Sequence, residues 1–305
     1  MPGRFSARQP IRIRRSIRCS IVACSWPRGS AMANDAAFAP DSSPAVLYLL
    51  DRHVAWITLN RPARRNALSA DMDAELRACV SRAEHDPECR VICISGMGEG
   101  FCSGADLSVA PGLSTALPYT PQPHSLEAFR FGYLIQARKP IIAAINGAAV
   151  GVGLVLAAFC DIRIASAGAR LGFTYSRVGL VAEYGIAWWL PRLVGPGASN
   201  DLLLSGRLVE AAEARQMGLV NHVVDGEGFN AHVEDYLQAL VERCSPRSLA
   251  VIKRQAWAAH EQTLLESVRS SQQDLDVARR SADHQEGLQA FREKRLPRFS
   301  GDTHD

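Results

Sequence analysis

From Ala45 onward the apolar positions switch between two spacings, one of two residues and one of three to four, and so predict strands and helices in turn. Residues 46–50 and 53–59 are short, rich in branched and aromatic side chains, and separated by Asp51-Arg52, which predicts a hairpin. Ser69 offers a helix N-cap, with Asp71 and Asp73 near the positive end of the helix dipole. Met72, Leu76, Cys79, Val80 and Ala83 keep helical spacing to about His85, and Pro87 breaks the chain before an apolar strand at 91–94. A loop studded with Pro111, Gly112, Pro118, Pro121 and Pro123 fills 108–125. A helix is expected at 126–137, a buried strand at 141–145, an apolar helix from Gly151-Val-Gly153, and a strand at 161–165. A helix is also expected over 184–193.

Beyond residue 197 nearly everything reads as helix, apart from a strand at 219–224. Helix starts are expected near 205–210, 226–228 and 245–246, where Pro246 suits a first turn. Strand, helix and strand in this order argue for β/α units around a parallel sheet. The layout is therefore a leader (1–44), a β/α core (45–196) and a mainly helical C-terminal region (197–305).

Charge changes the picture at one end only. The net charge is +3, but residues 1–31 hold seven arginines and no acid; the rest of the chain has 27 basic residues against 31 acidic, a net of −4. A mildly acidic body gives little support to a nucleic-acid surface. The leader fits either a mitochondrial transit peptide or non-native sequence upstream of a start at Met32, the second being favoured; it is expected to be disordered. The expected location is accordingly the cytoplasm, with the mitochondrial matrix as the alternative. No apolar run approaches the roughly 20 residues of a membrane-spanning helix. None of the eight cysteines forms a Cys-x-x-Cys pair or a zinc-like spacing with histidine, so neither a disulfide framework nor a metal is expected.

Two glycine turns carry the candidate chemistry, Ser103-Gly-Ala-Asp106 and Asn146-Gly-Ala-Ala-Val-Gly-Val-Gly153. Backbone N–H groups in such turns can point at an anion, and two converging on one point would make an oxyanion hole. No P-loop is present, and no dinucleotide fingerprint follows the first strand.

These turns fall within a longer ordered series: Trp56-Ile-Thr-Leu-Asn-Arg-Pro62, Arg65-Asn-Ala-Leu68, Phe101-Cys-Ser-Gly-Ala-Asp-Leu107, Lys139-Pro-Ile-Ile-Ala-Ala-Ile-Asn-Gly147, Cys160-Asp161, Leu208-Val-Glu-Ala-Ala-Glu-Ala-Arg-Gln-Met-Gly-Leu-Val220 and Phe291-Arg-Glu-Lys-Arg-Leu-Pro-Arg-Phe299. The series resembles the enoyl-CoA hydratase/isomerase (crotonase) superfamily from about residue 45 to 299. The resemblance implies an α/β fold, a ββα spiral core with a helical C-terminal trimerisation region, assembled as a homotrimer or a dimer of trimers. It implies acyl-CoA thioester substrates and no separate cofactor, coenzyme A arriving as part of the substrate. By position, the oxyanion donors would be the N–H groups of Ala105, beside Gly104, and of Val152, beside Gly151. Val152 departs from the glycine usual there; since a β-branched residue avoids positive φ, its backbone must be ordinary or the donor displaced. Coenzyme A phosphates would meet Arg64 or Arg65 beside Ala67, and Lys294 from a neighbouring subunit. Asp106 reads as structural, accepting backbone N–H groups, in preference to a catalytic acid.

Hydration in this family uses two glutamates, and the matching positions here are Val155 and, at or near it, Tyr175. Neither side chain is a base at neutral pH. Glu183 is the acid that remains, at a position where the isomerase branch carries one carboxylate, and one base suffices to shift a double bond. The alternative reading makes Glu183 a charge at a helix N-terminus. A related dehalogenase branch has a nucleophilic aspartate there, but the histidine it would need has no counterpart beyond His124 in the loop, which reads as a solvated residue. Three functions therefore stand: a Δ3 to Δ2 enoyl-CoA isomerase, which is favoured; an enoyl-CoA hydratase of unusual mechanism; and a non-catalytic acyl-CoA or RNA-binding paralogue.

Overall fold

The computed structural model describes residues 43–106, 125–126 and 128–300. Almost all of the leader, and the Pro-rich loop with His124, lie outside the described residues. Strands β1 (Val46–Asp51) and β2 (Val54–Leu59) form the expected antiparallel hairpin, turning on Arg52 and His53, both at positive φ. Helix α1 (Ala70–His85) starts where Ser69 accepts a hydrogen bond from the Met72 N–H, with Asp71 and Asp73 in its first turn.

The chain then winds so that each turn adds one strand to each of two sheets. β3 (Val91–Gly96), β5 (Ile141–Ile145) and β7 (Ile162–Ser166) extend the hairpin in parallel, and β10 (His222–Val224) closes the order β1-β2-β3-β5-β7-β10. β4 (Gly100–Cys102), β6 (Ala148–Val150), β8 (Arg170–Gly172) and β9 (Val209–Glu210) make a second sheet in the order β4-β6-β8-β9. The strands of this second sheet have two or three residues each. Nothing so short sets up a two-residue periodicity, and the sequence reading takes three of them for turns or connections and places a helix start near β9.

Side chains alternate across the first sheet and build a core on each face. Val54, Trp56, Val91, Cys93, Ile142, Ala144 and Ile164 pack against Phe229, Val233, Leu237 and Val241 of α6 (Phe229–Arg243). Ala55, Ile57, Leu59, Ile92, Ile94, Ile141, Ala143 and Ile145 face the other way, toward α1, α3 (Val152–Ala158) and the second sheet.

The expected helix at 126–137 is shorter, a single turn α2 (Gly132–Gln136). The preceding residues make i+3 to i hydrogen bonds instead (Ala128 N–H to Ser125, Phe129 N–H to Leu126), and Gly132 lies so close to the Leu126 carbonyl that a Cβ would sit 1.6 Å from it. The helix expected from Tyr184 begins at Ile186 and runs to Ser205, with a kink at Gly195 (α4). A helix thus runs across residue 196, and β10, from the C-terminal region, pairs with β7 of the core. α5 (Ala211–Gln216), α7 (Pro246–Ala258, capped by Ser245), α8 (Leu264–Ala278) and α9 (Ala282–Glu293) complete the chain. No helix among the described residues is long and apolar enough to cross a membrane.

Candidate active site

The site lies beyond the C-terminal ends of β3 and β5, where the chain crosses from the first sheet to the second. Asn66, fully buried, fixes the crossing: its Nδ2 donates to the carbonyls of Met97 (2.9 Å) and Gly100 (2.8 Å), and its Oδ1 accepts from the Arg61 N–H (2.9 Å). A parallel bridge then couples Leu68 to Ala105. Leu68 donates to the Gly104 carbonyl (2.8 Å) and Asp106 donates to the Leu68 carbonyl (3.1 Å). In a parallel bridge the intervening N–H, that of Ala105, points to the opposite side.

That side is occupied by the second glycine turn. A Cβ on Gly104 would lie 3.1 Å from the Val150 carbonyl, and one on Gly151 would lie 4.0 Å from the Gly104 Cα. Gly104 has φ 109°, and Gly151 has φ 55° with ψ −128°, a region essentially closed to side chains. The left-handed residue is therefore Gly151. Val152 opens α3 with an ordinary helical backbone, which a β-branched residue tolerates. As the first helical residue its N–H has no partner within the helix. The N–H groups of Ala105 and Val152 thus belong to adjoining turns.

Asp106 is buried and ion-paired to Arg61 (2.7 Å), which also donates to the Ala67 carbonyl (2.8 Å). The pair fits the structural role the sequence suggests for Asp106, with a side-chain partner the sequence does not single out. Cys102, in the same turn, is buried and its thiol pushed up to about 11, so it holds no thiolate at neutral pH. Val155 is fully buried in α3. Tyr175 is buried just after β8, and burial, followed by the nearby Glu183 charge, pushes its hydroxyl upward.

Glu183 is half-buried. Burial raises its carboxyl above the usual carboxylate range, and the Arg130 guanidinium draws it partly back. The helix-terminus reading of this residue meets an obstacle. Tyr184 (φ 54°) and Gly185 (φ 69°) are both left-handed and separate Glu183 from α4, whose first turn contains no acid.

The structure adds residues that the sequence does not single out. Arg130 donates through Nε to Asp73 (3.0 Å), and its guanidinium lies 5.0 Å from the Tyr184 ring and 5.2 Å from Phe131. The available signal is faint, a lone charge between two phenylalanines.

Arg64 and Arg65 are exposed at the edge of the Gly104 turn, where Ser103 donates to the Arg65 carbonyl (3.0 Å), and Ala67 is buried beneath them. Lys294 does not join them. It caps α9, and the tail after it reaches the other end of the sheet, where Arg90, just before β3, donates to the Phe299 carbonyl (3.0 Å). Among the described residues no cluster of three or more His, Cys, Asp or Glu side chains could hold a metal ion.

The chain matches the enoyl-CoA hydratase/isomerase family over residues 50–302, and it belongs to that family. It is 37% identical over 248 residues to a putative enoyl-CoA hydratase of Thermus thermophilus, covering 81% of this chain and 97% of that one. It is 34% identical over 270 residues to 1,2-epoxyphenylacetyl-CoA isomerase of Escherichia coli, covering 84% and 98%. In structure it resembles a probable enoyl-CoA hydratase/isomerase from Mycobacterium abscessus, with a TM-score of 0.76 at 31% identity, over 84% of this chain and 99% of the other.

Proposed function

We propose that this enzyme shifts a double bond in an acyl-CoA thioester, from Δ3 to Δ2, with Glu183 as the only acid/base. The observation that carries the reading is the state of Glu183, a half-buried carboxyl raised above its usual range, in a site where Val155 and Tyr175 stand in place of a water-activating pair.

In this mechanism the thioester oxygen accepts hydrogen bonds from the Ala105 and Val152 N–H groups. The Glu183 carboxylate removes a proton from C2. The C–H electron pair becomes the C1–C2 double bond, and the carbonyl electrons move onto oxygen, giving a dienolate. As the carbonyl re-forms, the C1–C2 pair moves to C2–C3, the C3–C4 pair takes the proton back from Glu183 at C4, and Glu183 returns to its starting state. Each oxyanion donor of this kind contributes about 3–4 kcal/mol to lowering the barrier. Arg64 and Arg65, with Ala67 beneath, would meet the coenzyme A phosphates; Lys294 would do so only from a neighbouring subunit. No further cofactor enters, and the expected location remains the cytoplasm.

The second reading is hydration of a trans-2-enoyl-CoA, favoured by the name of the Thermus relative. It would require Glu183 alone to activate water. A paired assay separates the two, following a 3-enoyl-CoA and a trans-2-enoyl-CoA with wild type and Glu183→Gln. Isomerisation that disappears in the variant, with negligible hydration, is the expected result. Hydration that survives Glu183→Gln would overturn the proposal, and silence on both substrates would favour a non-catalytic acyl-CoA binder.

A further inference from the structure

Three buried donors, on Tyr175, Arg130 and Tyr133, have no acceptor among the described residues, and the reaction above uses none of them. Tyr175 is 5% exposed, and its hydroxyl is enclosed and makes no hydrogen bond. Arg130, its side chain 10% exposed, commits Nε to Asp73 while Nη2 is enclosed and unpaired. Tyr133, whose ring lies 4.6 Å from the Arg77 guanidinium, carries a third enclosed, unpaired hydroxyl.

Their placement ties them to the site. Tyr175 opens the turn that follows β8, and the Gly172 carbonyl of β8 accepts the Gly151 N–H (2.8 Å). Asp73, which holds Arg130, lies in the first turn of α1, just after the Leu68 bridge to Ala105. The other face of Arg130 meets the ring of Tyr184, the residue next to Glu183. The Arg130 charge acts on Tyr133, Tyr175 and Glu183 alike.

All three groups are donors, since burial keeps both phenols protonated. A buried polar group left unpaired forfeits its hydration without compensation, and native structures leave few of them. A hydrocarbon chain seated here would leave all three unpaired. An oxygen with free lone pairs would satisfy them, a carboxylate accepting up to about four hydrogen bonds and a hydroxyl two.

We propose that Tyr175 and Arg130, with Tyr133 alongside, bind an oxygen acceptor carried by the acyl group, so that the preferred substrate is an oxygenated acyl-CoA and not a plain hydrocarbon one. The inference rests on the acyl-CoA reading of the site, but not on isomerisation as its reaction. Sites built to hydrogen-bond a substrate oxygen reject analogues that lack it far more strongly than apolar pockets reject a missing methylene.

The test is calorimetric titration of the full chain with unreactive six-carbon thioesters: hexanoyl-CoA, and its derivatives bearing a hydroxyl or a carboxylate at C4, C5 or C6. At least one oxygenated thioester is expected to bind tenfold or more tightly than hexanoyl-CoA, and the hydroxyl and carboxylate arms identify the acceptor. Tyr175→Phe, which removes only an unpaired O–H, and the paired change Arg130→Met with Asp73→Asn should each erase most of that preference. Thermal melting of each variant checks that it is folded. Hexanoyl-CoA binding as tightly as every derivative, or a preference that survives in both folded variants, would overturn the inference while leaving the proposed reaction intact. Failure of every thioester to bind would overturn the acyl-CoA reading and this inference together.

Discussion

Glu183 sits where burial disfavours its charged form and Arg130 favours it, so its titration reports both neighbours. Because its folded pKa is raised, the carboxyl stabilises the fold fully below the unfolded value, ordinarily 4.5, and that contribution is lost as pH rises through the folded pKa. Glu183→Gln should therefore raise the melting temperature at neutral pH, with the gain fading as the pH falls through the folded pKa and absent below that ordinary value. As a base the residue must be ionised, so kcat/KM should rise with pH through the same pKa. Arg130→Met, which removes the attractive charge, should move that inflection to higher pH. The oxyanion donor proposed at Val152 can be deleted without unfolding its helix, because proline is accepted as the first helical residue. Val152→Pro should lower kcat by about 10²–10³-fold, with the circular dichroism spectrum unchanged.

At the scale of elements, the candidate site depends on how closely the two crossing turns approach. Gly153, in the first turn of α3, faces Cys102 at the end of β4, where a Cβ would lie 2.5 Å from the Cys102 carbonyl and 2.7 Å from its Sγ. Neither of those atoms belongs to a long, adaptable side chain, so one of the two turns must shift. Gly153→Ala should cost about 1–3 kcal/mol in denaturant unfolding. It should also reduce kcat, because the displaced elements carry the Ala105 and Val152 N–H groups. Normal stability with full activity would show that the turns have more room than the structure gives them.

For the molecule as a whole, the C-terminal helices are tied to the core by a buried cation. Lys253 of α7 donates to Asp161 (2.8 Å) and to the carbonyls of Leu134 (2.9 Å) and Lys139 (3.2 Å), while Asp161 also accepts the Ile141 N–H (2.7 Å). Lys253→Met removes one partner of this pair and should destabilise the fold by about 3–5 kcal/mol in denaturant unfolding. Helix α8 is the opposite case, with no buried residue within the chain. Leu264 is 82% exposed and Phe291 of α9 84%, alongside exposed Leu265, Val268, Leu275 and Val277. Apolar faces of this kind fit a subunit interface, and we propose that they serve the expected trimer or dimer of trimers. Sedimentation equilibrium should give three or six times the mass of one chain; a monomer would refute it.

The fold was legible in the sequence wherever an element was long enough to show its own period. The hairpin, α1 with its Ser69 cap, the buried strand β5 and the Ser245-Pro246 start of α7 all follow from local side-chain chemistry, and so does the family, from its ordered motifs. The second sheet was not legible, because strands of two or three residues have no period and exist only by pairing with chain far away in sequence. For the proposed site, the sequence pointed to Glu183, the glycines and the carboxylate-free positions Val155 and Tyr175. Tertiary structure decided that Gly151, and not Val152, takes the left-handed turn, that Asp106 belongs to Arg61, and that Arg130 reaches Asp73 and Tyr184. A partner chosen across 50 residues depends on how the sheets pack, which no local pattern records.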